Sequence, residues 1–329
     1  MKLIAAILIT LFSLVTVAGQ KERAQLDALR AEGYNALYNL DYEGARKRFQ
    51  KMIELAPDNP AGPQCYASSL WLEQLNQSWE LKATLYSADA YAREKPKIDR
   101  RQVDEFRKWT RRTKTLAQAR LQKDPRDVEA LYFLGAAEGL EAAFAAGVEG
   151  RFMAALRAAS SSVDHHREVL KLDPDFHDAE LTIGLQNYVI GSLSLPLKMI
   201  AGTMGVRGSK KRGLETLERV AREGHWARDV ARVLLIDLYK REKRWNDSIK
   251  TARELSERYP RNYLFKLQMA DALASQIVTL RKAKTPTTAE EKELTNIFTS
   301  LFRDKTLDKP TTDLVHFRYD ETQRLLKTR

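Results

Sequence analysis

The stretch that decides the fold class is residues 26–59, LDALRAEGYNALYNLDYEGARKRFQKMIELAPDN. Apolar and small residues recur at helical spacing in both halves, and the segment Asp41-Tyr42-Glu43-Gly44 interrupts that spacing. The pattern predicts two amphipathic helices joined by a turn, with Pro57 ending the second. Gly33 lies where the two helices of this hairpin must approach each other closely.

The proline that ends this hairpin recurs in four similar phrases. They are Leu55-Ala56-Pro57-Asp58, Lys123-Asp124-Pro125-Arg126, Leu172-Asp173-Pro174-Asp175 and Arg258-Tyr259-Pro260-Arg261. Intervals of 68, 49 and 86 residues separate the prolines, so a unit of this length persists only if insertions are allowed. We find no run of alternating apolar and polar β-forming residues. The sequence therefore predicts an all-α helical-hairpin repeat solenoid of about five repeats.

The first hairpin resembles the tetratricopeptide repeat, a helix-turn-helix unit of about 34 residues. The residues that match are Gly33, Tyr42, Ala45, Phe49 and Pro57. Residues 229–262 resemble the same repeat through Leu235, Tyr239, Trp245, Ala252, Leu255 and Pro260. The resemblance implies an array whose first helices line a concave groove for a peptide or helix of another protein.

Insertions and caps account for the rest of the array. We expect an extra helix near residues 79–93, a longer turn at 142–150 and a degenerate repeat over 178–225. A helix following Tyr263 would cap the open end, and Thr288 would cap another helix that runs to Arg303. The predicted domains are a signal peptide at 1–19, the repeat array at 20–283 and a C-terminal helix and tail at 284–329.

The N-terminus reads as an export signal. Lys2 precedes a nearly unbroken apolar run over residues 3–17, and Val17-Ala18-Gly19 offers small residues for cleavage. We predict an exported protein, periplasmic or secreted, with a retained N-terminal membrane anchor as the alternative. Cys65 is the only cysteine, which excludes an internal disulfide, and its helical position predicts burial.

The net charge of +11 favours acidic partners: anionic lipid head groups, acidic polymers or acidic proteins. Nucleic acid is disfavoured because export would remove the chain from it. The densest basic element is the helix expected over residues 100–123. Its charges form either a solvated face or a docking face for an anionic surface.

Residues 189–206 are too apolar for a freely exposed loop, so we expect them to be buried, with contact to lipid or a partner as the alternative. Gly202 to Gly213 follows without the spacing of a phosphate-binding loop. Its basic side chains could still contact an anion together with backbone amides. Those candidate residues are Arg207, Lys210, Lys211 and Arg212.

The same region resembles the core segment of the tetratricopeptide repeat protein 39 family. The matching segments are Gly184-Leu185, Ser194-Leu195-Pro196, Gly205-Val206-Arg207-Gly208 and Gly213-Leu214. The resemblance covers about 40 residues and implies a non-enzymatic protein.

No constellation of residues predicts catalysis. His165 and His166 are adjacent, and on a helix their side chains diverge by about 100°, which disfavours joint metal ligation. The nucleophile-elbow and zinc-protease motifs are absent from the sequence. We predict neither an enzyme nor a bound metal or cofactor.

The predicted function is therefore that of an exported scaffold or adaptor that binds a protein or peptide of unidentified chemistry. Arg30, Tyr34 and Tyr38 are the candidate groove residues of the first repeat. The alternative is a peripheral envelope protein that contacts an anionic membrane through residues 189–212 and the basic helix at 100–123. The sequence makes no prediction of oligomeric state.

Overall fold

A computed structural model describes the backbone of residues 2–77, 99–203 and 205–327, and their side chains except those of residues 2–19, 77 and 152. These residues form fourteen α-helices and one short 3-10 helix, with no β-strand among them. The prediction of an all-α helical-hairpin repeat fold is confirmed. The extra helix expected near residues 79–93 lies outside the described residues.

The described chain divides into two compact units, residues 2–77 with 99–173 and residues 174–327 without 204. The helices of the first unit are α1 (Lys2–Tyr38), α2 (Tyr42–Leu55), α3 (Ala61–Gln77), α4 (Arg100–Lys123), α5 (Val128–Gly147) and α6 (Phe152–Leu172). Those of the second unit are α7 (Glu180–Ser192), α8 (Leu195–Thr203), α9 (Lys210–Glu223), α10 (Arg228–Arg241), α11 (Trp245–Arg258), α12 (Tyr263–Lys282), α13 (Thr288–Phe302) and α14 (Lys309–Lys327).

Three consecutive hairpins build the first unit: α1 with α2, α3 with α4, and α5 with α6. The first helices of successive hairpins also contact one another, α1 with α3 and α3 with α5. Aspartates cap the N-termini of two helices that follow turns. The Asp41 carboxylate accepts the Gly44 amide at 2.9 Å at the start of α2, and Asp127 accepts the Ala130 amide at 3.0 Å at the start of α5.

The first hairpin is closed at Gly33. A Cβ atom on this residue would lie 2.2 Å from Cε1 of Phe49, whose side chain is fully buried. The ring of Tyr34 meets the Phe49 ring edge-on, with centroids 5.5 Å apart. The predicted close approach of the two helices at Gly33 is thus confirmed, since no larger residue leaves room for the aromatic ring.

The second unit continues with the hairpins α7/α9 and α10/α11, and α8 forms the connection inside the first of these. They correspond to the degenerate repeat expected over 178–225 and to the repeat at 229–262. A 3-10 helix at His177–Ala179 precedes α7. The cap predicted after Tyr263 is α12, which packs on α11.

The C-terminal helices fold back onto α12. Both α13 and α14 contact it, and the Arg318 guanidinium on α14 pairs with the Asp271 carboxylate on α12. The Arg281 guanidinium donates to the Leu326 carbonyl at 2.7 Å. The N-cap of α13 is Thr287 rather than Thr288, because the helical backbone already begins at Thr288. The predicted boundaries at residues 19 and 283 stay predictions.

The two helices of a hairpin differ in how far their side chains are buried. None of the side chains that the structure describes in α3, α5, α7 and α10 is exposed; each is buried or half-buried. Their partner helices, α4, α6, α9 and α11, all carry exposed charged residues, as does α2. The terminal helix α1, the first helix of the first hairpin, is exposed on one side, for example at Ala31 and Glu32. Apart from α1, first helices therefore form an inner layer and second helices a solvated outer layer within each unit.

Candidate partner-binding surfaces

The three candidate groove residues lie on one stripe of α1, but this stripe is largely covered. Arg30 and Tyr38 are only 7% and 5% exposed, whereas Tyr34 is half-buried. The Arg30 guanidinium lies 5.4 Å from the centroid of the Phe133 ring on α5, and Tyr34 stacks on Tyr38 at 6.2 Å. Their contact with a partner stays a prediction, and Tyr34 is the only one of the three with accessible surface.

Beneath this stripe the polar groups are neutral. Burial raises the pKa of the Tyr34 phenol well above its ordinary value, and burial also raises the pKa of the Cys65 thiol. The Tyr34 side chain hydrogen-bonds with those of Ser68 and Cys65. A protonated, fully buried thiol is a poor nucleophile. The predicted burial of Cys65 is confirmed, and the cluster forms a packed polar layer under Tyr34.

A groove of about 640 Å³ lies beside this stripe, between α1, α2 and Tyr66 of α3. Its lining is mostly charged, with Glu32, Glu43, Arg46, Lys47, Arg48, Lys51 and Glu54 beside the uncharged Leu29, Gln50 and Tyr66. One ion pair joins α2 to α1, with the Arg48 guanidinium 3.1 Å from the Glu32 carboxylate. Another lies along α2, with the Lys47 ammonium 2.6 Å from the Glu43 carboxylate. Exposed pairs such as these are weak. The groove therefore suits a polar, charged peptide better than an apolar small molecule.

In the second unit, glycines allow α7 and α9 to cross at backbone contact. A Cβ atom on Gly213 of α9 would lie 2.5 Å from the Tyr188 amide nitrogen and 2.7 Å from the Gly184 carbonyl oxygen. One on Gly191 of α7 would lie 2.4 Å from the Lys210 amide nitrogen. One on Gly208 would lie 2.6 Å from the Asn187 carbonyl oxygen. Gly208 and Gly213 of the Gly-rich segment thus serve helix packing, since they face backbone atoms, whereas a Cβ atom on Gly202 or Gly205 would meet nothing within 4 Å.

The candidate anion-contact residues surround the start of α9. The Lys210 ammonium pairs with Glu242 at 2.9 Å and lies 5.9 Å from the centroid of the Tyr188 ring. Lys211 reaches Glu215 only at 3.9 Å, and Arg207 and Arg212 are exposed. Ser209 caps the helix by accepting the Arg212 amide. The Lys210 ammonium is therefore already paired with a protein carboxylate, while Arg207, Lys211 and Arg212 are accessible. Contact of all four residues with an anion stays a prediction.

The expected burial of residues 189–206 is wrong for α8. Leu193 and Ala201 are buried, but Leu195 is 73% exposed, Met199 67% and Ile200 44%. Only one face of this nine-residue helix packs on the protein. Met204, part of the same expectation, lies outside the described residues. Sequence reasoning recognised the apolar character of the segment but not which face the protein covers.

The basic helix α4 uses part of its charge internally. Arg107 pairs with Glu149, the Lys114 ammonium lies 2.9 Å from the Glu141 carboxylate, and Arg120 lies 2.7 Å from that of Asp127. Arg101, Lys108 and Arg111 are exposed. Its buried stripe contains Phe106, Trp109, Thr110, Thr113 and Ala117. The solvated-face interpretation fits this division between paired and exposed cations.

The histidines on α6 turn toward different partners, as their helical separation predicts. His165 Nδ1 lies 2.8 Å from the Glu138 carboxylate, which raises the pKa of His165 through that hydrogen bond. His166 is buried, with Nε2 3.0 Å from the Tyr132 carbonyl oxygen. Across the described residues, no group of three or more potential ligands could hold a metal ion.

No helix in the described part of the chain is both long enough and apolar enough to cross a bilayer. No protein-family model matches the sequence, and no curated protein aligns with it at a significant level. The two resemblances drawn from the residues therefore contribute to the functional proposals and do not assign the chain to a family.

Proposed function

We propose that this chain is a non-enzymatic adaptor of the tetratricopeptide type, which binds a protein or peptide partner along the inner layer of its helical hairpins. The observation that carries the proposal is the separation into an enclosed layer of first helices and a solvated layer of second helices. Arrays built this way present half-buried side chains from several helices to one ligand. Export to the periplasm or beyond belongs to the same proposal, on the apolar N-terminal run.

The first unit offers a defined contact point for such a partner. Tyr34 presents an aromatic ring held between Tyr38 and Phe49, so binding would cost little side-chain entropy. The adjacent groove of about 640 Å³ supplies charged groups that can orient a peptide. The excess of 55 basic over 44 acidic residues favours an acidic partner.

Site-specific photocrosslinking tests this proposal. The protein would carry p-azidophenylalanine in place of Ala31, an exposed residue three positions before Tyr34 on α1, in cells that export it. We expect discrete crosslinked species, because this position lies at the accessible edge of the stripe that contains Tyr34, whereas the Tyr34 hydroxyl itself points into the buried layer.

The matched control carries the same group at Lys171, whose side chain is 68% exposed on the outer helix α6. That position should give none of these species. An identical crosslinking pattern from both positions, or none from residue 31, would contradict binding through the inner layer.

A further inference from the structure

The helix α8 is well formed, although its outward face is apolar. At its C-terminal end the Gly205 amide donates to the Gly202 carbonyl and the Val206 amide to the Ala201 carbonyl, both at 3.0 Å. With Gly205 at φ +75°, this is the Schellman arrangement that satisfies the last carbonyls of a helix. At its start the Lys198 amide donates to the Ser194 carbonyl at 2.9 Å.

The two faces of α8 are distinct. At 3.6 residues per turn, Leu195, Met199 and Ile200 share an arc of about 140°. Ala201, which is fully buried, lies outside this arc and attaches the helix to the second unit. A short helix with three exposed large apolar side chains on one arc reverses the usual rule that the solvent face is polar. Such a face is expected where another apolar surface, of a membrane or of a protein, covers it.

The charge around α8 indicates whether a membrane or a protein covers this face. Between Glu180 and Glu215 the sequence contains five cations and neither aspartate nor glutamate. Lys210 is paired with Glu242, but Lys198 is exposed on α8 itself, and Arg207 and Arg212 are exposed in the segment that follows it. An apolar face flanked by cations matches the boundary between acyl chains and anionic head groups. A second copy of the chain fits less well, since a twofold contact would set the same cations against one another.

We propose that α8 is an interfacial helix that docks the protein on a bilayer containing anionic lipids. Leu195, Met199 and Ile200 enter the boundary between head groups and acyl chains. Lys198, Arg207 and Arg212 approach the lipid phosphates. The helix lies on the membrane and does not cross it. This docking uses no residue of the proposed partner surface at Tyr34, so either function can fail without the other.

Vesicle flotation with the full chain tests the proposal. The vesicles are phosphatidylcholine alone or phosphatidylcholine mixed with phosphatidylglycerol. We expect binding to the mixed vesicles only, weakening as salt is added. The double variant Leu195→Ser/Met199→Ser should lose about tenfold or more in affinity. Its matched control, Phe317→Ser/Leu325→Ser, removes side chains that are 55% and 42% exposed on α14 and should bind like the unaltered protein.

A variant that removes two charges, with its matched control, separates the electrostatic contribution to membrane binding from the apolar one. Arg207→Gln/Arg212→Gln should weaken binding by about fivefold per cation, which corresponds to about 1 kcal/mol each. Arg222→Gln/Lys250→Gln, with both cations exposed on α9 and α11, should leave the affinity unchanged. Undiminished binding by Leu195→Ser/Met199→Ser, or equal affinity for vesicles of phosphatidylcholine alone, would overturn the proposal. A lipid-free dimer that this double variant abolishes would instead assign the face to a second copy and would equally overturn it.

Discussion

Replacing Gly213 with alanine is expected to lower the free energy of unfolding of the second unit by about 3 kcal/mol. Helix propensity alone predicts the opposite sign, because alanine is favoured over glycine inside a helix by about 1 kcal/mol. The added Cβ would lie 2.5 Å from the Tyr188 amide nitrogen and 2.7 Å from the Gly184 carbonyl oxygen. Both are backbone atoms, so α7 and α9 must separate and expose the side chains packed between them, including the fully buried Leu217.

Gly202 provides the matched control on α8. A Cβ atom there would meet nothing within 4 Å, so Gly202→Ala should be neutral or slightly stabilising. Urea unfolding followed by circular dichroism measures both variants, with separate transitions fitted if the two units unfold independently. Equal stability of the two variants would show that the α7/α9 crossing does not depend on glycine.

Replacing Asp178 with asparagine is expected to cost the second unit about 3 kcal/mol. Asp178 is 4% exposed and precedes α7, yet its carboxylate serves the start of α10. Oδ1 accepts from the backbone amides of His225, Trp226 and Ala227 at 2.8, 3.1 and 3.0 Å. Asparagine would keep one acceptor oxygen for these amides, but its NH2 group would face the Trp226 amide that Oδ2 accepts at 3.0 Å, and the negative charge that stabilises the start of α10 would be lost.

Asp320→Asn is the control for this charge change, since Asp320 is exposed on α14. Its effect should stay within about 0.5 kcal/mol. Thermal unfolding of both variants is the measurement. If Asp178→Asn unfolds at the same temperature as Asp320→Asn, the carboxylate is not what holds the connection between α9 and α10.

The hairpins could be predicted because local sequence dictates them. Glycine at 33, the turn at Asp41 and the proline phrases each act within one hairpin, and Gly33 meets Phe49 as expected. Because insertions lengthen the intervals between the prolines, the sequence shows no regular 34-residue period. The proline phrases nevertheless mark where helices end. The same local logic separated His165 from His166 on α6.

The binding surfaces depend on contacts that sequence spacing does not show. Arg30 and Tyr38 share the stripe of Tyr34, but which part of it is covered depends on Phe133, about a hundred residues away along the chain. For α8, composition gave the apolar character, while exposure depends on which arc meets the second unit. The sequence does contain a signal for the close contact of α7 with α9. Gly184 and Gly191 are seven residues apart on α7, a spacing that places both on one helix face.

Amide hydrogen exchange, measured on the free protein and on its complex with the partner identified by crosslinking beside Tyr34, tests the central claim most directly. An adaptor that binds along its inner layer should show slower exchange on partner binding in α1 around Tyr34 and in the first helices that follow it. The solvated helices α4 and α6, which do not line the groove beside Tyr34, should exchange at unchanged rates. Slowing confined to those outer helices or to α8, with α1 unaffected, would contradict the account.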